Sequence, residues 1–172
     1  DTALNVYLST GRAEYLRKER ERSYLFSVGR AVKGYFMTAF DDKVSIFYFG
    51  EWLKGYYFRK GKTVIDAMNE SGAKHDEILA QCAAFDRKLR SDCEKVGEDY
   101  YTLACAALRQ SVGAHKLVEN AKGNLLFLSK ECDSNGCIGT ADVSYPSVPL
   151  YLIYNPELVN AMMTGIFDFA KM

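Results

Sequence analysis

The sequence predicts a mainly α-helical protein with a β-rich N-terminal portion, and the spacing of apolar residues is the basis for both parts. Val44, Ile46 and Tyr48 alternate with their neighbours at a period of two, which is typical of a half-buried strand. Further along the chain the period changes to three and four residues, as on the face of an amphipathic helix. We therefore expect a β-rich segment over residues 1–60 and a helical segment over residues 61–172.

Two consecutive helices are predicted in the middle of the chain. Ser71 can cap the start of the first, and Gly97 can end it because glycine tolerates a left-handed turn. The second helix runs from about Asp99 to about Asn120. A short join between two such helices predicts an antiparallel hairpin. The two apolar faces are Ile78, Cys82, Phe85, Leu89, Cys93 and Val96, and then Tyr101, Cys105, Leu108 and Val112.

The last fifty residues alternate between turn signals and apolar segments. Lys122-Gly123-Asn124 predicts a turn, residues 125–128 an apolar strand and residues 129–149 a loop. Asn155 followed by Pro156 predicts a helix start, because asparagine caps and proline suits the first helical position.

Composition excludes several classes of function. The 22 basic and 22 acidic residues give a formal net charge of zero, which argues against nonspecific binding to nucleic acid or anionic membranes. The apolar runs are far shorter than the ~20 residues of a membrane span, so no membrane span is expected. A chain that opens on Asp1 and ends inside an apolar-faced helix is expected to be the middle piece of a longer polypeptide.

Cysteine and histidine usage gives no sign of a metal or a cofactor. The five cysteines are odd in number and sparse, and free thiols are expected, although Cys132 and Cys137 could meet across a turn. His75 and His115 are not paired with a cysteine at a ligand spacing, and a zinc site needs about four convergent ligands. No glycine pattern forms a phosphate cradle, so we expect neither a metal nor a cofactor. His115 is expected to be a core histidine with one satisfied ring nitrogen, with a pocket-lining role as the alternative.

The densest polar cluster, residues 129–146, contains the candidate catalytic residues. Glu131 and Asp142 flank a glycine-containing loop, and two carboxylates in unlike environments can act as proton donor and as water activator in hydrolysis. Asp133 is the alternative to Glu131. The same composition also suits a structural connection whose polar side chains satisfy backbone groups. Candidate substrate-orienting or oxyanion-stabilising residues are Lys130, Asn135 and Tyr145.

Separated blocks of the sequence follow one another in an order that is specific to one family. They are residues 41–42, 45–50, 76–79, 109–116, 129–131, 135–140, 142–147, 149–151 and 154–158. In these blocks the chain resembles the glutaminase A family, over roughly Tyr24 to Met172.

The resemblance implies a fold and an activity. Such proteins are secreted or periplasmic, with a β-sandwich followed by an α/α toroid of six helical hairpins. The chain would then be a partial toroid preceded by strands from or next to the sandwich, with the flanking domains of the same polypeptide as its partners. The implied reaction is hydrolysis of the glutamine side-chain amide to glutamate and ammonia.

Two other functions remain open at this point. One is a toroid resembling glycoside hydrolases, in which the same two carboxylates serve as acid and base on a glycan. The other is a catalytically silent structural or interaction module of a larger secreted protein. We expect the 172-residue piece to be inactive by itself, because an incomplete toroid leaves its pocket open to water.

Overall fold

The chain divides into two units. The computed structural model describes residues 5–9, 37–41, 43–130 and 136–172, with the backbone alone described for 5–9. The first unit contains the described residues up to Lys43 together with Tyr57–Gln81, and the second contains Val44–Tyr56 and Cys82–Met172.

The first unit packs a helix against a pair of strands. Strands β1 (Asn5–Ser9) and β2 (Met37–Asp41) pair antiparallel, and helix α1 runs over Val64–Ala73. Buried Val64 and Met68 of α1 contact Met37 and Ala39, which share one face of β2 because side chains alternate along a strand.

A capping box begins α1. The Thr63 hydroxyl accepts from the Asp66 N–H at 3.2 Å, and the Thr63 N–H donates to the Asp66 carboxylate at 2.8 Å. Ser71 lies inside α1, so the prediction that Ser71 caps a helix is wrong. Lys74 separates α1 from the next helix, α2 (His75–Cys93).

Helices α2 and α3 (Glu98–Ala114) are joined through a short segment that contains Gly97. Gly97 has a φ of 138°, a value that favours glycine. Helix α2 already ends at Cys93 and Gly97 is the residue before α3, so the prediction that Gly97 ends the first helix is wrong. Of the predicted face of α2, Leu89 and Cys93 are buried, whereas Ile78 is 40% exposed. The Arg90 guanidinium ties the helix ends together through two 3.1 Å bonds to Glu98.

A β-hairpin follows α3 directly. Strands β5 (His115–Glu119) and β6 (Leu125–Ser129) pair antiparallel across a turn in which Gly123 has a φ of 78°. The predicted turn and the predicted strand over 125–128 are therefore confirmed. The predicted extension of the second helix to Asn120 is wrong, because residues 115–119 satisfy their backbone groups by pairing with β6 instead.

The β5–β6 hairpin has a different core on each of its faces. One face places Val118, Leu126 and Leu128 against Ile46 and Leu53, which belong to a second hairpin, β3 (Ile46–Tyr48) and β4 (Glu51–Leu53). The opposite face carries Phe127, which packs on the C-terminal helices. Because side chains alternate along β6, neighbouring residues lie in separate cores. Full burial of each large apolar side chain stabilises the fold by roughly 1.5–3 kcal/mol.

Three helices occupy the C-terminal part. They are α4 (Ala141–Ser144), α5 (Val148–Tyr154) and α6 (Pro156–Ala170), with a 3₁₀ turn over Tyr145–Ser147. The prediction of a loop over 129–149 is thus wrong from Ala141 onward. The predicted helix start at Pro156 is confirmed, although the Asn155 side chain makes no capping hydrogen bond.

Leu128 brings β6 into close contact with α6. Its Cδ2 methyl would lie 2.9 Å from an added Cβ at Gly165 and 3.3 Å from one at Gly139. Two glycines therefore make room for one methyl group. The helix-rich element order confirms the predicted mainly α class, and among the described residues no helix is long and apolar enough to cross a membrane.

Candidate functional site

A groove of about 710 Å³ lies in the second unit. Its walls come from the last turns of α2, from one side of α3 and from the segment between α4 and the end of α5. Most of the lining is apolar, and the polar side chains cluster near two parts of the wall. The lining residues are Lys88, Leu89, Asp92, Cys93, Tyr100, Ala104, Ala107, Gln110, Ser111, Ala114, His115, Val143, Pro146, Ser147, Pro149, Leu150, Ile153 and Tyr154.

One polar part of the wall is a group of hydroxyls next to a histidine. The Ser111 hydroxyl lies 3.0 Å from the Ser147 hydroxyl and 3.0 Å from the Tyr151 hydroxyl. His115 Nδ1 lies 2.6 Å from the Ser111 carbonyl oxygen. Burial raises the pKa of Tyr151 above its usual value, so its hydroxyl stays protonated. These groups therefore connect the end of α3 to α5.

The other polar part of the wall is charged. The Asp92 carboxylate accepts from Lys88 Nζ at 2.7 Å and from the Tyr154 hydroxyl at 2.9 Å. The bond from Lys88 is the main reason that the pKa of Asp92 is lowered, with Tyr154 as the next contributor. Burial, followed by the hydrogen bond to Asp92, raises the pKa of Tyr154 to about 12. Asp92 is therefore a charged acceptor and Tyr154 a neutral donor at neutral pH.

The predicted site residues that the structure describes do not form the wall of the groove. Glu131 and Asn135, like the alternative Asp133, lie outside the described residues. Lys130, Asp142 and Tyr145 are described, and none of the three lines the groove. Asp142 is exposed in the first turn of α4, and Tyr145 is 71% exposed.

Backbone pairing brings the two ends of the predicted catalytic segment together. Lys130 forms an isolated antiparallel bridge with Ile138, and the Gly139 N–H donates to the Ser129 carbonyl at 2.8 Å. The buried hydroxyls of Ser129 and Ser144 lie 3.2 Å apart, which attaches α4 to the end of β6. The backbone next to Lys130 and the helix that bears Asp142 are therefore neighbours.

The polar wall of the groove was only partly predictable. The helical period placed His115 on an apolar face and allowed a pocket-lining role, and the block 109–116 stood out in the resemblance. Nothing in the spacing indicated Ser111 and Ser147, because 36 residues separate them and they meet only when α5 packs near α3.

The region from α3 to α6 is similar to a helical-hairpin domain. A family model described as the Glutaminase A six helical-hairpin domain matches residues 97–172. Residues 97–172 are therefore similar to this domain of the glutaminase A family, which confirms the resemblance over that segment. The match does not extend to the earlier blocks at residues 41–50 and 76–79.

Two curated relatives are similar to half of the chain. Glutaminase A of Aspergillus oryzae is 32% identical over 86 residues, which are 50% of this chain and 12% of that protein. A probable glutaminase of Arthroderma benhamiae is 37% identical over 85 residues, which are 49% of this chain and 10% of that protein. The matches thus span about a tenth of each relative. No solved structure matches the chain.

Proposed function

We propose that this chain contributes catalytic residues to a glutaminase-like hydrolase that converts glutamine to glutamate and ammonia. The observation that carries the proposal is the match of residues 97–172 to the Glutaminase A six helical-hairpin domain, since the same segment supplies most of the lining of the groove and the bridge between Lys130 and Ile138. In this proposal residues 61–172 supply hairpins to an α/α toroid, residues 1–60 lie in or next to a β-sandwich, and the polypeptide is secreted or periplasmic.

The two candidate carboxylates have complementary roles in the proposed reaction. One carboxylate, Glu131 or Asp142, takes a proton from water, and the water oxygen bonds to the amide carbon. The carbon–nitrogen bond then breaks, and the other carboxyl group gives its proton to the departing nitrogen. The exposed position of Asp142 gives it access to water, and its attachment next to Lys130 supports a shared site.

Three further side chains act on the substrate in this proposal. Lys130, Asn135 and Tyr145 donate hydrogen bonds that orient the amide or stabilise the oxyanion formed when water adds to it. Lys130 follows β6 directly, and its N–H donates to the Ala114 carbonyl at 2.8 Å, so its backbone is held firmly. That rigidity supports a positioning role for Lys130.

Ammonia release from glutamine tests the proposal in the longest natural polypeptide that contains this sequence. We expect Glu131→Gln and Asp142→Asn each to lower kcat/KM by roughly 10²-fold or more. Glu157→Gln is the matched control, because Glu157 lies in the first turn of α6 as Asp142 does in α4, and it should retain activity.

Three outcomes separate the possibilities. Absence of ammonia release from the wild-type polypeptide would reject glutamine hydrolysis. Full activity in both carboxylate variants would reject the assigned catalytic pair while leaving the reaction in place. Release of reducing sugar from a glycan, without ammonia, would favour the alternative of a glycoside hydrolase.

A further inference from the structure

Helix α3 has an apolar face that the described chain covers only in part. None of the 17 residues of α3 is buried against the part of the chain that the structure describes. Tyr100 is 48% exposed and Leu103 is 65% exposed. A helix in a globular protein obtains most of its stability by packing its apolar face against other elements. Helix α3 therefore needs a further packing partner.

The exposed side of α3 is one wall of the groove. The other wall includes Leu150 and Ile153 of α5, and Ile153 is 65% exposed. The lining along α3 extends over roughly 21 Å, at a rise of about 1.5 Å per residue. That length and the two apolar walls match the dimensions of one helix. The lining residues of α3 are Tyr100, Ala104, Ala107, Gln110, Ser111 and Ala114.

The charges in the groove indicate a neutral occupant. Lys88 and Asp92 are the charged side chains among the described lining residues, and they bond to each other at 2.7 Å. Burial lowers the pKa of His115, so its ring is uncharged at neutral pH. Free glutamine has two charges and little apolar surface, which makes it a poor match for these walls. The apolar face of a helix is the complementary surface.

The comparisons indicate a source for such a helix. The matching family model describes a domain of six helical hairpins. Among the described residues of the matched segment there are four helices, α3 to α6, which can form at most two hairpins. The aligned parts are only 12% and 10% of the two relatives. Most of each relative lies outside the aligned part, and this leaves ample length for further hairpins.

We infer that the groove is an interface within a longer polypeptide, and that its occupant is an apolar-faced helix from a hairpin outside these 172 residues. The inference rests on the toroid in the proposed function and does not depend on the reaction. The small side chains of Ala104 and Ala107 allow the axis of that helix to approach α3 to about 8–10 Å. The docked helix then covers Tyr100 on one wall and Ile153 on the other.

Thiol labelling of the longest natural polypeptide that contains this sequence tests whether the groove is covered. Ala107→Cys places a thiol in the groove. Ala106→Cys is the matched control, because Ala106 is equally exposed here but lies outside the groove, between Thr102 and Arg109 on the polar side of α3. A water-soluble maleimide is the probe, and peptide mass mapping separates the new thiol from the native cysteines. We expect Ala107→Cys to react about tenfold more slowly than Ala106→Cys, because a covered thiol reacts only when the structure opens.

A photo-crosslinker at position 100 identifies the occupant in the same polypeptide. Replacing Tyr100 by p-benzoylphenylalanine keeps an aromatic ring in the groove wall. We expect an intramolecular crosslink to a peptide from outside this sequence.

Equal labelling of the two thiols would overturn the inference, since the groove would then be open to solvent. A crosslink to a second copy, or to a peptide within these 172 residues, would also overturn it. So would protection of Ala107→Cys that requires added glutamine, because the groove would then be a substrate site. Neither measurement needs turnover. Absence of ammonia release therefore rejects the proposed reaction, whereas the labelling and the crosslink decide the interface.

Discussion

Burial controls the charge of His115. Taking the ring out of water lowers its pKa below the value of 6.5 usual for histidine, so the folded protein favours the neutral form. Unfolding returns the ring to water and restores its ordinary affinity for a proton. The unfolded chain consequently binds more protons than the folded one at mildly acidic pH.

We expect this difference to make the stability of the protein depend on pH. The contribution of His115 is fully present above about pH 6.5 and is lost as the pH falls toward the lowered pKa of the folded state. Urea unfolding at about pH 8 and about pH 5 measures it. The wild type should lose more free energy of unfolding on acidification than His115→Phe does. Parallel losses in the two proteins would show that the ring titrates alike in both states.

At the scale of elements, α6 approaches β6 so closely that a methyl group does not fit between them. An alanine at position 165 would place its Cβ 2.9 Å from Leu128 Cδ2, and Leu128 is buried. Overpacking of this kind costs about 1–3 kcal/mol. The better helix propensity of alanine stabilises the helix by up to about 1 kcal/mol, which is less than the cost of the close contact.

We expect Gly165→Ala to lower the free energy of unfolding by about 1 kcal/mol. Gly113→Ala is the matched control, since Gly113 lies in α3 with open space around its Cα, and it should stabilise by about 0.5–1 kcal/mol. In a Leu128→Val background the cost of Gly165→Ala should shrink, which a double-mutant cycle in urea measures. Equal stabilisation by both glycine substitutions would contradict the close packing.

The long helices α2 and α3 were predicted, whereas the strand β5 was missed, for a physical reason. The faces of α2 and α3 repeat within one element, so local spacing is enough to indicate them. The strand β5 depends on β6, ten residues later, and its short sequence also fits a helical period. Pairing with β6 decides that residues 115–119 form a strand and not a helix. The spacing of apolar residues along the sequence gives no information about such pairing. The groove could not be predicted from the sequence for the same reason, because Ser111 and Ser147 meet only through tertiary packing.

At the scale of the whole molecule, a formal net charge of zero is combined with exposed apolar side chains. The sequence has a formal net charge of zero and a pI near 6.9. Like charge therefore does little to keep copies apart at neutral pH. Several large apolar residues are between 65% and 71% exposed, namely Trp52, Val96, Leu103, Ile153 and Phe169.

We expect the 172-residue chain by itself to self-associate most strongly near pH 7. At about pH 9 a net negative charge should disperse it, and sulfate should strengthen association because it favours apolar burial. Dynamic light scattering over a concentration series measures the effect. A double variant, Trp52→Gln with Phe169→Gln, should associate less at the same pH. A monomer of constant size at pH 7 across the series would refute the expectation.

The contact between Leu128 and its two glycines links the volumes of three distant positions. A larger residue at 139 or 165 requires a smaller one at 128, so accepted substitutions at these sites should occur as exchanges of volume. The two glycines are not equally free to change. Gly139 also has a φ of 63°, which most side chains avoid, whereas no such backbone demand applies at Gly165. Substitutions at this contact should therefore be accepted more readily at Gly165 in α6 than at Gly139.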